Sequence, residues 1–514
     1  MQIERTKNAL RNIFWGVIEK ICSLLLPFVV RTIIINALGA EYLGLSSLFT
    51  AILSVLSISE LGFGTAIVFS MYKPIAENDN AMLCALLNTY RKIYQIIGTI
   101  ILTVGLLLLP FINYFIKGDV PADVNVYILY LIYLINTSIS YYLYGYKGAL
   151  FSAYQRGDLV SKRAMLINLF SNLLQIFFLL LFKNYYVYVI VIPLSTIASN
   201  LANAYLANKM FPNIVCNGKI TKEVKNGLKK RIVGLLSFKI YGVIFNSVDS
   251  IVISSFLGLT QLAKYNNYYY IQTSIIAFLN IITGSITAGI GNKMVTNSVE
   301  DNYKDFKKFI FANAWITSWC SVCLLCLYQH FVEIWVGKDL LLPVGTMFLL
   351  VLLFFLPRVS CLTFTYREAA GLWWEDRFRP LVSTVVNLVL NLILVQFIGL
   401  NGVIISTLLC TAFINIPWGS VILFKNYFKK SPIEFFGRVL FYIIVFGAVG
   451  SITYFICNLL PNVGWIFLII KAGICIVLPN ILFYIIYRKM TEYTYFKLFI
   501  NSMMNKFFRK RSKL

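Results

Sequence analysis

Apolar runs of about 20 residues recur along the whole chain, and the short segments between them hold most of the charges. A helix needs about 20 mostly apolar residues to cross the hydrocarbon core of a bilayer. The pattern therefore predicts an all-α polytopic membrane protein with about 14 transmembrane helices. The predicted spans are 12–36, 43–72, 93–115, 125–146, 164–182, 185–207, 232–257, 266–290, 309–329, 343–366, 381–399, 402–424, 437–457 and 463–487.

The composition excludes an ordinary soluble domain, because 59% of the residues are hydrophobic and only 13% are charged. Soluble domains are about half apolar and about a quarter charged. The net charge is +24, and most of the basic residues lie between the apolar runs. This distribution is typical of loops beside membrane spans rather than of a nucleic-acid surface. We interpret the basic end, residues 507–514, as a cytoplasmic anchor beside anionic lipid.

The distribution of lysine and arginine predicts the orientation of the chain. If the N-terminus lies inside, the inner segments, counted with Arg438 at the inner edge of span 437–457, hold 36 of the 45 basic residues, the outer loops hold four, and five lie deeper within spans. Cytoplasmic loops of membrane proteins carry such an excess of basic residues. We therefore expect a multi-pass protein of the cell inner (cytoplasmic) membrane with both termini in the cytoplasm.

An internal repeat relates the first six predicted spans to the next six. One shift of 219 residues pairs Lys20 with Lys239, Leu38-Gly39 with Leu257-Gly258, Gly118 with Gly337, and Asn168 and Asn172 with Asn387 and Asn391. Six spans return the chain to the same side, which predicts two parallel six-helix lobes plus a two-helix C-terminal appendix. The predicted domains are an N-lobe of helices 1–6 (1–207), a basic cytoplasmic linker (208–231), a C-lobe of helices 7–12 (232–424), and helices 13–14 with the basic tail (425–514).

Charged residues within the predicted spans restrict how the helices can pack. At the centre of a transmembrane helix, each charge costs about 2.5–3.5 kcal/mol on the insertion scale. These charges cannot all face lipid, so we expect them to face a wet cavity or to pair with one another. They are Glu19, Lys20, Arg31, Glu60, Lys239, Asp249, Arg358 and Lys471.

Four basic residues are predicted to line one cationic central cavity that binds an anionic substrate. Lys20 and Arg31 share a face of the first helix, because they are about three helical turns apart. Lys239 is the repeat mate of Lys20, and Arg358 follows a proline that is expected to kink its helix. Structural pairing is the alternative for each of these residues.

The remaining intramembrane charges have two interpretations. Glu19, Glu60 and Asp249 could couple transport to H⁺ or Na⁺, or they could pair with neighbouring cations, as Asp249 could with Arg31. Lys471 is expected to have a structural role or to lie beside a groove for lipid. The membrane potential is a further energy source, because an anion that leaves a negative interior gains free energy.

Neither a cofactor nor a metal site is predicted. Cys320, Cys323 and Cys326 follow one side of a helix, but no histidine or carboxylate accompanies them within that predicted span. Buried cysteine commonly packs as a small apolar residue. The sequence contains no Gly-x-x-x-x-Gly-Lys-Ser/Thr loop, so ATP is not the expected energy source.

Five segments carry a specific combination of residues: Leu-Gly-Ala-Glu-Tyr-Leu-Gly-Leu at 38–45, Glu-Leu-Gly-Phe-Gly-Thr-Ala-Ile at 60–67, Tyr-Lys-Pro-Ile-Ala-Glu at 72–77, Asn-Ser-Val-Asp-Ser-Ile-Val-Ile-Ser at 246–254, and Trp-Glu-Asp-Arg-Phe-Arg-Pro at 374–380. With these segments the chain resembles the Wzx-type polysaccharide flippases of the multidrug/oligosaccharidyl-lipid/polysaccharide exporter superfamily. The resemblance covers nearly the whole sequence.

The resemblance implies a transporter rather than an enzyme. Such proteins move undecaprenyl-pyrophosphate-linked oligosaccharide repeat units to the outer leaflet, where the units enter O-antigen of lipopolysaccharide, capsule or exopolysaccharide. The expected partners are the lipid-linked glycan, membrane lipids, and the polymerase and chain-length regulator of the pathway, with no nucleic acid. A cationic cavity fits this substrate, because arginine and lysine are the usual partners of phosphate groups.

Two alternatives remain open from the sequence. A cation-coupled multidrug antiporter of the same superfamily would have an acidic cavity and twelve spans, whereas the charges within these spans are net positive. A membrane polymerase or glycosyltransferase of the polysaccharide pathway would need a large outer loop or a catalytic acid motif. The predicted outer loops are short.

Overall fold

The structure is a computed structural model that describes residues 5–60, 62–118 and 120–497. The described residues form helices joined by short connections and contain no β-strand, which confirms the all-α prediction. The chain divides into two compact units, Met1–Ala263 and Lys264–Leu514.

The first unit contains nine helices among its described residues. Helix α1 packs along α7, α7 packs against α8, and α5 contacts both α4 and α8. Helix α9 contacts α2 in the same unit, although the sequence assigned α9 to the second lobe. The helices are α1 (Arg5–Ala37), α2 (Ala40–Leu56), α3 (Phe63–Ala76), α4 (Asn80–Leu108), α5 (Val126–Tyr142), α6 (Gly148–Ala153), α7 (Gly157–Phe182), α8 (Tyr185–Met210) and α9 (Lys222–Leu257).

The second unit is organised around α11, which contacts α12, α17 and α18. Helix α14 packs against α15, which in turn contacts α12. The helices are α10 (Leu259–Thr296, which begins just before the unit boundary), α11 (Val299–Val336), α12 (Val344–Val359), α13 (Cys361–Ala369), α14 (Phe378–Ile398), α15 (Leu400–Cys410), α16 (Ile416–Leu423), α17 (Ile433–Asn458) and α18 (Gly464–Tyr487).

Each predicted span coincides with one helix or with two consecutive helices. Within the described ranges, ten helical segments are long and apolar enough to cross a membrane, and α5 with α6 forms one further candidate that bends by 52°. The other three predicted spans correspond to α1, to α10 and to the pair α2–α3. Helix α1 carries charged residues, and α2 ends after 17 residues where a 3₁₀ turn begins.

Glycines 219 residues apart adopt matching backbone conformations. Gly39 and Gly258 have φ values of 128° and 91° with ψ values of 168° and 173°. Gly118 and Gly337 have φ values of 84° and 87°. Residues other than glycine rarely adopt these backbone angles. The shift of 219 residues therefore relates glycines with the same backbone conformation. The lobe boundaries that were inferred from this shift stay a prediction.

Gly44 allows a close contact between α2 and the start of α10 within the first unit. A Cβ atom on Gly44 would lie 2.4 Å from the Leu259 carbonyl oxygen. We expect Gly44→Ala to lower the free energy of unfolding by about 1–3 kcal/mol, because backbone must shift to admit the methyl group. Thermal unfolding of the purified protein measures this change.

Gly16→Ala is the matched control, because nothing lies within 4 Å of the added methyl group on α1. Alanine is the better helix former, so this variant is expected to be as stable as the wild type or slightly more stable. Equal destabilisation by both substitutions would contradict the packing role of Gly44.

Candidate functional site

Arg358 is a buried cation in the last turn of α12, with 8% of its surface exposed. Its Nη1 donates to Asn280 Oδ1 at 2.8 Å, and its backbone carbonyl accepts from Asn313 Nδ2 at 2.7 Å. Among the described residues, neither Nε nor Nη2 of Arg358 has a hydrogen-bond partner. A guanidinium with unused donors in a buried position is suited to binding an anion.

A small cavity of about 50 Å³ lies beside Arg358, between α10, α11 and α12. A water molecule needs at least about 10–15 Å³ of such volume, so the cavity has room for a few water molecules. A larger anion could reach Arg358 only after these helices move. The cavity is lined by Leu279, Thr283, Phe309, Ala312, Asn313, Ile316 and Leu362 together with Arg358.

A larger cavity of about 390 Å³, which we call the apolar groove, lies between α10, α11 and α18. Along α10, Ile271 in the groove and Leu279 beside Arg358 are eight residues apart, a rise of about 12 Å. The two cavities therefore follow the same pair of helices. The groove is lined by Ile271, Ile275, Cys323, Leu324, Leu327, Tyr328, Phe331, Trp465, Leu468, Ile469 and Ala472.

Glu60 is held by tyrosine hydroxyl groups at the break between α2 and α3. Tyr94 donates to Glu60 Oε1 at 2.8 Å, and Tyr141 donates to Oε2 at 2.5 Å. The break also contains Gly62 in the left-handed conformation, with φ of 100°. Two hydrogen bonds to one carboxylate fit the pairing interpretation of Glu60, although tyrosines rather than cations supply the partners.

The other charges predicted for the cationic cavity or for ion coupling lie in the first unit. On α1, Lys20 is exposed, whereas Glu19 and Arg31 are half-buried. On α9, Asp249 is buried with 6% exposure, and the side chain of Lys239 lies outside the described residues. One cavity shared by Lys20, Arg31, Lys239 and Arg358 would draw residues from both units, and it stays a prediction.

Lys471 lies in α18 and is 1% exposed. Its Nζ donates to Asn462 Oδ1 in the connection between α17 and α18. Leu468, Ile469 and Ala472 of the same helix line the apolar groove, but Lys471 does not. Lys471 therefore lies behind the groove wall and stabilises the connection before α18.

Sequence reasoning missed a buried ionic network in the second unit. Asp376, 2% exposed, accepts from Arg379 Nε at 2.7 Å and from Arg379 Nη2 at 2.8 Å. Arg367 Nη1 lies 3.6 Å from the same carboxylate, and Arg379 Nη1 donates to Asn415 Oδ1 at 2.7 Å. A Cβ on Gly419 would overlap the Arg367 guanidinium, so only glycine leaves room for it. The available signal was the mixture of three acidic and three basic residues at 367–379, between two predicted spans.

Comparison with solved structures gives the fold at low sequence identity. The chain is similar to the lipid II flippase MurJ in an inward closed conformation, with a TM-score of 0.67, 16% identity, and coverage of 93% of this chain and 99% of the other. It is also similar to an inward-facing multidrug resistance MATE family transporter of the MOP superfamily, with a TM-score of 0.58, 16% identity, and coverage of 77% and 93%. A search of curated protein sequences finds no significant match.

The sequence itself matches a family model. The model describes polysaccharide biosynthesis proteins and matches residues 9–287, which is more than half of the chain. This match agrees with the resemblance read from the sequence motifs. The chain belongs to the polysaccharide biosynthesis protein family and has the all-α fold of the MurJ and MATE transporters.

Proposed function

We propose that this protein flips undecaprenyl-pyrophosphate-linked oligosaccharide repeat units from the inner to the outer leaflet of the cytoplasmic membrane by alternating access. Membership of the polysaccharide biosynthesis family supports a role in glycan export. The observation that carries the proposal is Arg358, a buried guanidinium with two unused donors whose cavity is lined by α10 and α11, the same two helices that line the apolar groove.

The pyrophosphate is assigned to Arg358. A guanidinium donates two parallel hydrogen bonds to phosphate oxygens, and such charge-assisted bonds are about twice as strong as neutral ones. In the described conformation the cavity beside Arg358 is too small for a diphosphate. The substrate is therefore expected to enter when α10, α11 and α12 separate.

The polyprenyl tail is assigned to the apolar groove. Every side chain that lines it is apolar or aromatic apart from the Tyr328 hydroxyl and the Cys323 thiol. Each methylene buried in such a groove contributes about 0.8 kcal/mol. The separation of about 12 Å along α10 suits a ligand whose charged head and apolar tail are joined end to end.

Lys20, Arg31 and Lys239 complete the proposed cationic cavity, with both termini in the cytoplasm. The membrane potential would favour outward movement of the anion by about 2.3 kcal/mol per charge for each 100 mV. Proton or sodium coupling through Glu19, Glu60 or Asp249 is the other proposed energy source. The two tyrosine bonds to Glu60 favour a structural role for that carboxylate over coupling.

The second candidate function is cation-coupled multidrug export, which the likeness to MATE transporters favours. That likeness covers 77% of the chain, whereas the likeness to MurJ covers 93%. The C-terminal helix pair α17 and α18 is consistent with the greater coverage of this chain by the match to MurJ. Helix α18 also supplies one wall of the apolar groove. These observations support flipping of a lipid-linked substrate as the first candidate.

Deletion of the gene tests the proposed function in the cell. We expect the lipid-linked glycan to accumulate in the inner leaflet, where externally added glycan-modifying enzymes cannot reach it. Surface polymer should be lost and then restored by a plasmid copy. Normal polymer in the deletion strain, in the absence of a second flippase, would exclude the proposal.

Filling the apolar groove should weaken binding of the lipid tail. Ala472→Trp projects an indole into the groove from α18 and excludes about two methylenes of a bound tail. The expected loss of about 1.6 kcal/mol corresponds to roughly tenfold weaker binding of a polyprenyl diphosphate. Ile466→Trp is the matched control, because Ile466 is exposed on the same helix and does not line the groove. If the two variants bind the polyprenyl diphosphate with equal affinity, the apolar groove is not part of its binding site.

A further inference from the structure

Three cysteines from distant parts of the sequence meet inside the second unit. Cys326 of α11, Cys457 of α17 and Cys475 of α18 have sulfur atoms within 4.8 Å of one another. All three are buried, with exposures of 8%, 1% and 0%. The Sγ atoms of Cys457 and Cys475 are 4.0 Å apart. Cys320 and Cys323, which share the helix of Cys326, do not belong to this thiol cluster.

The spacing of the thiol cluster corresponds to that of sulfur ligands around one ion. Metal–sulfur bonds to zinc are about 2.3 Å long, so three sulfurs in a plane around one ion are about 4.0 Å apart. The sulfur atoms of Cys457 and Cys475 are already separated by this distance. The sulfur of Cys326 lies within 4.8 Å of both, so small side-chain rotations would bring it to the same distance. A disulfide would instead need a sulfur separation of about 2.05 Å.

The charges around the thiol cluster also favour a metal–thiolate centre. Lys471 is 1% exposed and precedes Cys475 by four residues on α18, so the two side chains share one face of the helix. Its hydrogen-bond acceptor is the neutral Asn462 amide, and within the described ranges Lys471 forms no salt bridge. A buried ammonium is costly without a compensating negative charge. Three thiolates carry a net charge of −1 around Zn²⁺ and −2 around Cu⁺, so the ammonium would balance the whole excess charge with Zn²⁺ and half of it with Cu⁺.

Local structure holds the cluster in place. Pro479 lies one turn beyond Cys475 in α18 and has no N–H to bond the Cys475 carbonyl. Trp319 Nε1 of α11 donates to that carbonyl at 2.9 Å instead. This bond fixes the position of α18 against α11 at the height of the cluster. The proline and the tryptophan therefore set the distance between the helices that carry Cys326 and Cys475.

We propose that Cys326, Cys457 and Cys475 form a binding site for a soft, thiophilic cation, Zn²⁺ or Cu⁺. Thiolate ligands select these ions over the hard cations Mg²⁺ and Ca²⁺. The bound ion ties α17 and α18 to α11. Because α11 and α18 also form walls of the apolar groove, the ion would stabilise the groove in its described shape.

Metal content of the purified full-length protein tests this site. The protein is prepared in detergent under reducing conditions, incubated with Zn²⁺ or with Cu⁺, freed of unbound ion, and analysed by mass spectrometry for metals. We expect one ion per chain in at least one arm, with a higher thermal midpoint than the metal-free protein. X-ray absorption should then report a shell of sulfur neighbours at about 2.3 Å.

Cys326→Ala, Cys457→Ala and Cys475→Ala should each abolish stoichiometric binding. Cys410→Ala is the matched control, since Cys410 is equally buried in α15 but lies outside the thiol cluster. If a cluster variant fails to fold, the X-ray absorption spectrum of the metal-loaded wild type still shows whether sulfur atoms bind the ion. Binding of neither ion by the wild type, retention of metal by the cluster variants, or a Cys457–Cys475 disulfide in the protein as isolated would overturn the proposal. None of these outcomes bears on flipping itself.

Discussion

Replacing Arg358 with leucine is expected to abolish flipping of a lipid-linked glycan while leaving the protein folded. If the guanidinium binds the pyrophosphate, its removal costs about 2–5 kcal/mol of interaction, the usual cost of deleting one partner of a buried hydrogen-bonded charge pair. That free energy corresponds to at least about 30-fold weaker binding of a polyprenyl diphosphate. Flipping rates in proteoliposomes and binding of the diphosphate measure the effect.

The stability of the Arg358→Leu variant separates a binding role from a structural one. Nε and Nη2 of Arg358 have no partner among the described residues, and unsatisfied buried donors are destabilising. Leucine removes both donors, so the thermal midpoint should stay the same or rise. Lys338→Gln is a charge-matched control in an exposed loop. Full transport by Arg358→Leu, or transport lost only in proportion to stability, would contradict the binding role.

Asp376→Ala is expected to cause the largest loss of stability of any single substitution discussed. Asp376 accepts two hydrogen bonds from Arg379 and lies 3.6 Å from Arg367 Nη1, and all three side chains are at most 6% exposed. Without the carboxylate, the buried guanidinium groups of Arg367 and Arg379 lose the anion that they share. Breaking a buried ion pair in this way costs about 3–5 kcal/mol. Thermal or urea unfolding in detergent measures the loss.

The adjacent Glu375 supplies the control for this experiment. Glu375 carries the same charge as Asp376 but is exposed. Glu375→Ala should change the free energy of unfolding by less than about 0.5 kcal/mol, as exposed substitutions usually do. If both variants unfold alike, the network does not stabilise the second unit, and its geometry must have another purpose.

The sequence predicted the helices well because each depends on a local property. A run of about 20 apolar residues cannot leave its backbone polar groups unpaired in a bilayer, so each run must be helical. The breaks within helices were harder to predict. Gly62 precedes α3 at a break, whereas Pro357 lies inside α12. The hydrogen bonds that hold Glu60 at the break come from α4 and α5, which are distant in sequence.

The sites were less predictable because their partners come from separate helices. The spacing of Cys320, Cys323 and Cys326 indicates a shared helix face, yet the structure groups Cys326 with residues 131 and 149 positions away. Likewise, Arg358 could be selected as an unusual intramembrane charge, but its bond to Asn280 and its unused donors depend on the packing of α10 against α12. Helical periodicity describes one helix at a time.

Transport by the purified protein in sealed proteoliposomes shows whether it flips a lipid-linked glycan through Arg358. A fluorescent polyprenyl diphosphate that carries a short oligosaccharide is placed in both leaflets, and a membrane-impermeant quencher reports the fraction in the outer leaflet. The wild type should bring the inner pool to the outer leaflet within the assay, whereas Arg358→Leu should behave like protein-free vesicles. Equal rates with the wild type and with empty vesicles would show that the protein does not flip this lipid. Equal rates with the wild type and Arg358→Leu would show that Arg358 does not bind the diphosphate during transport.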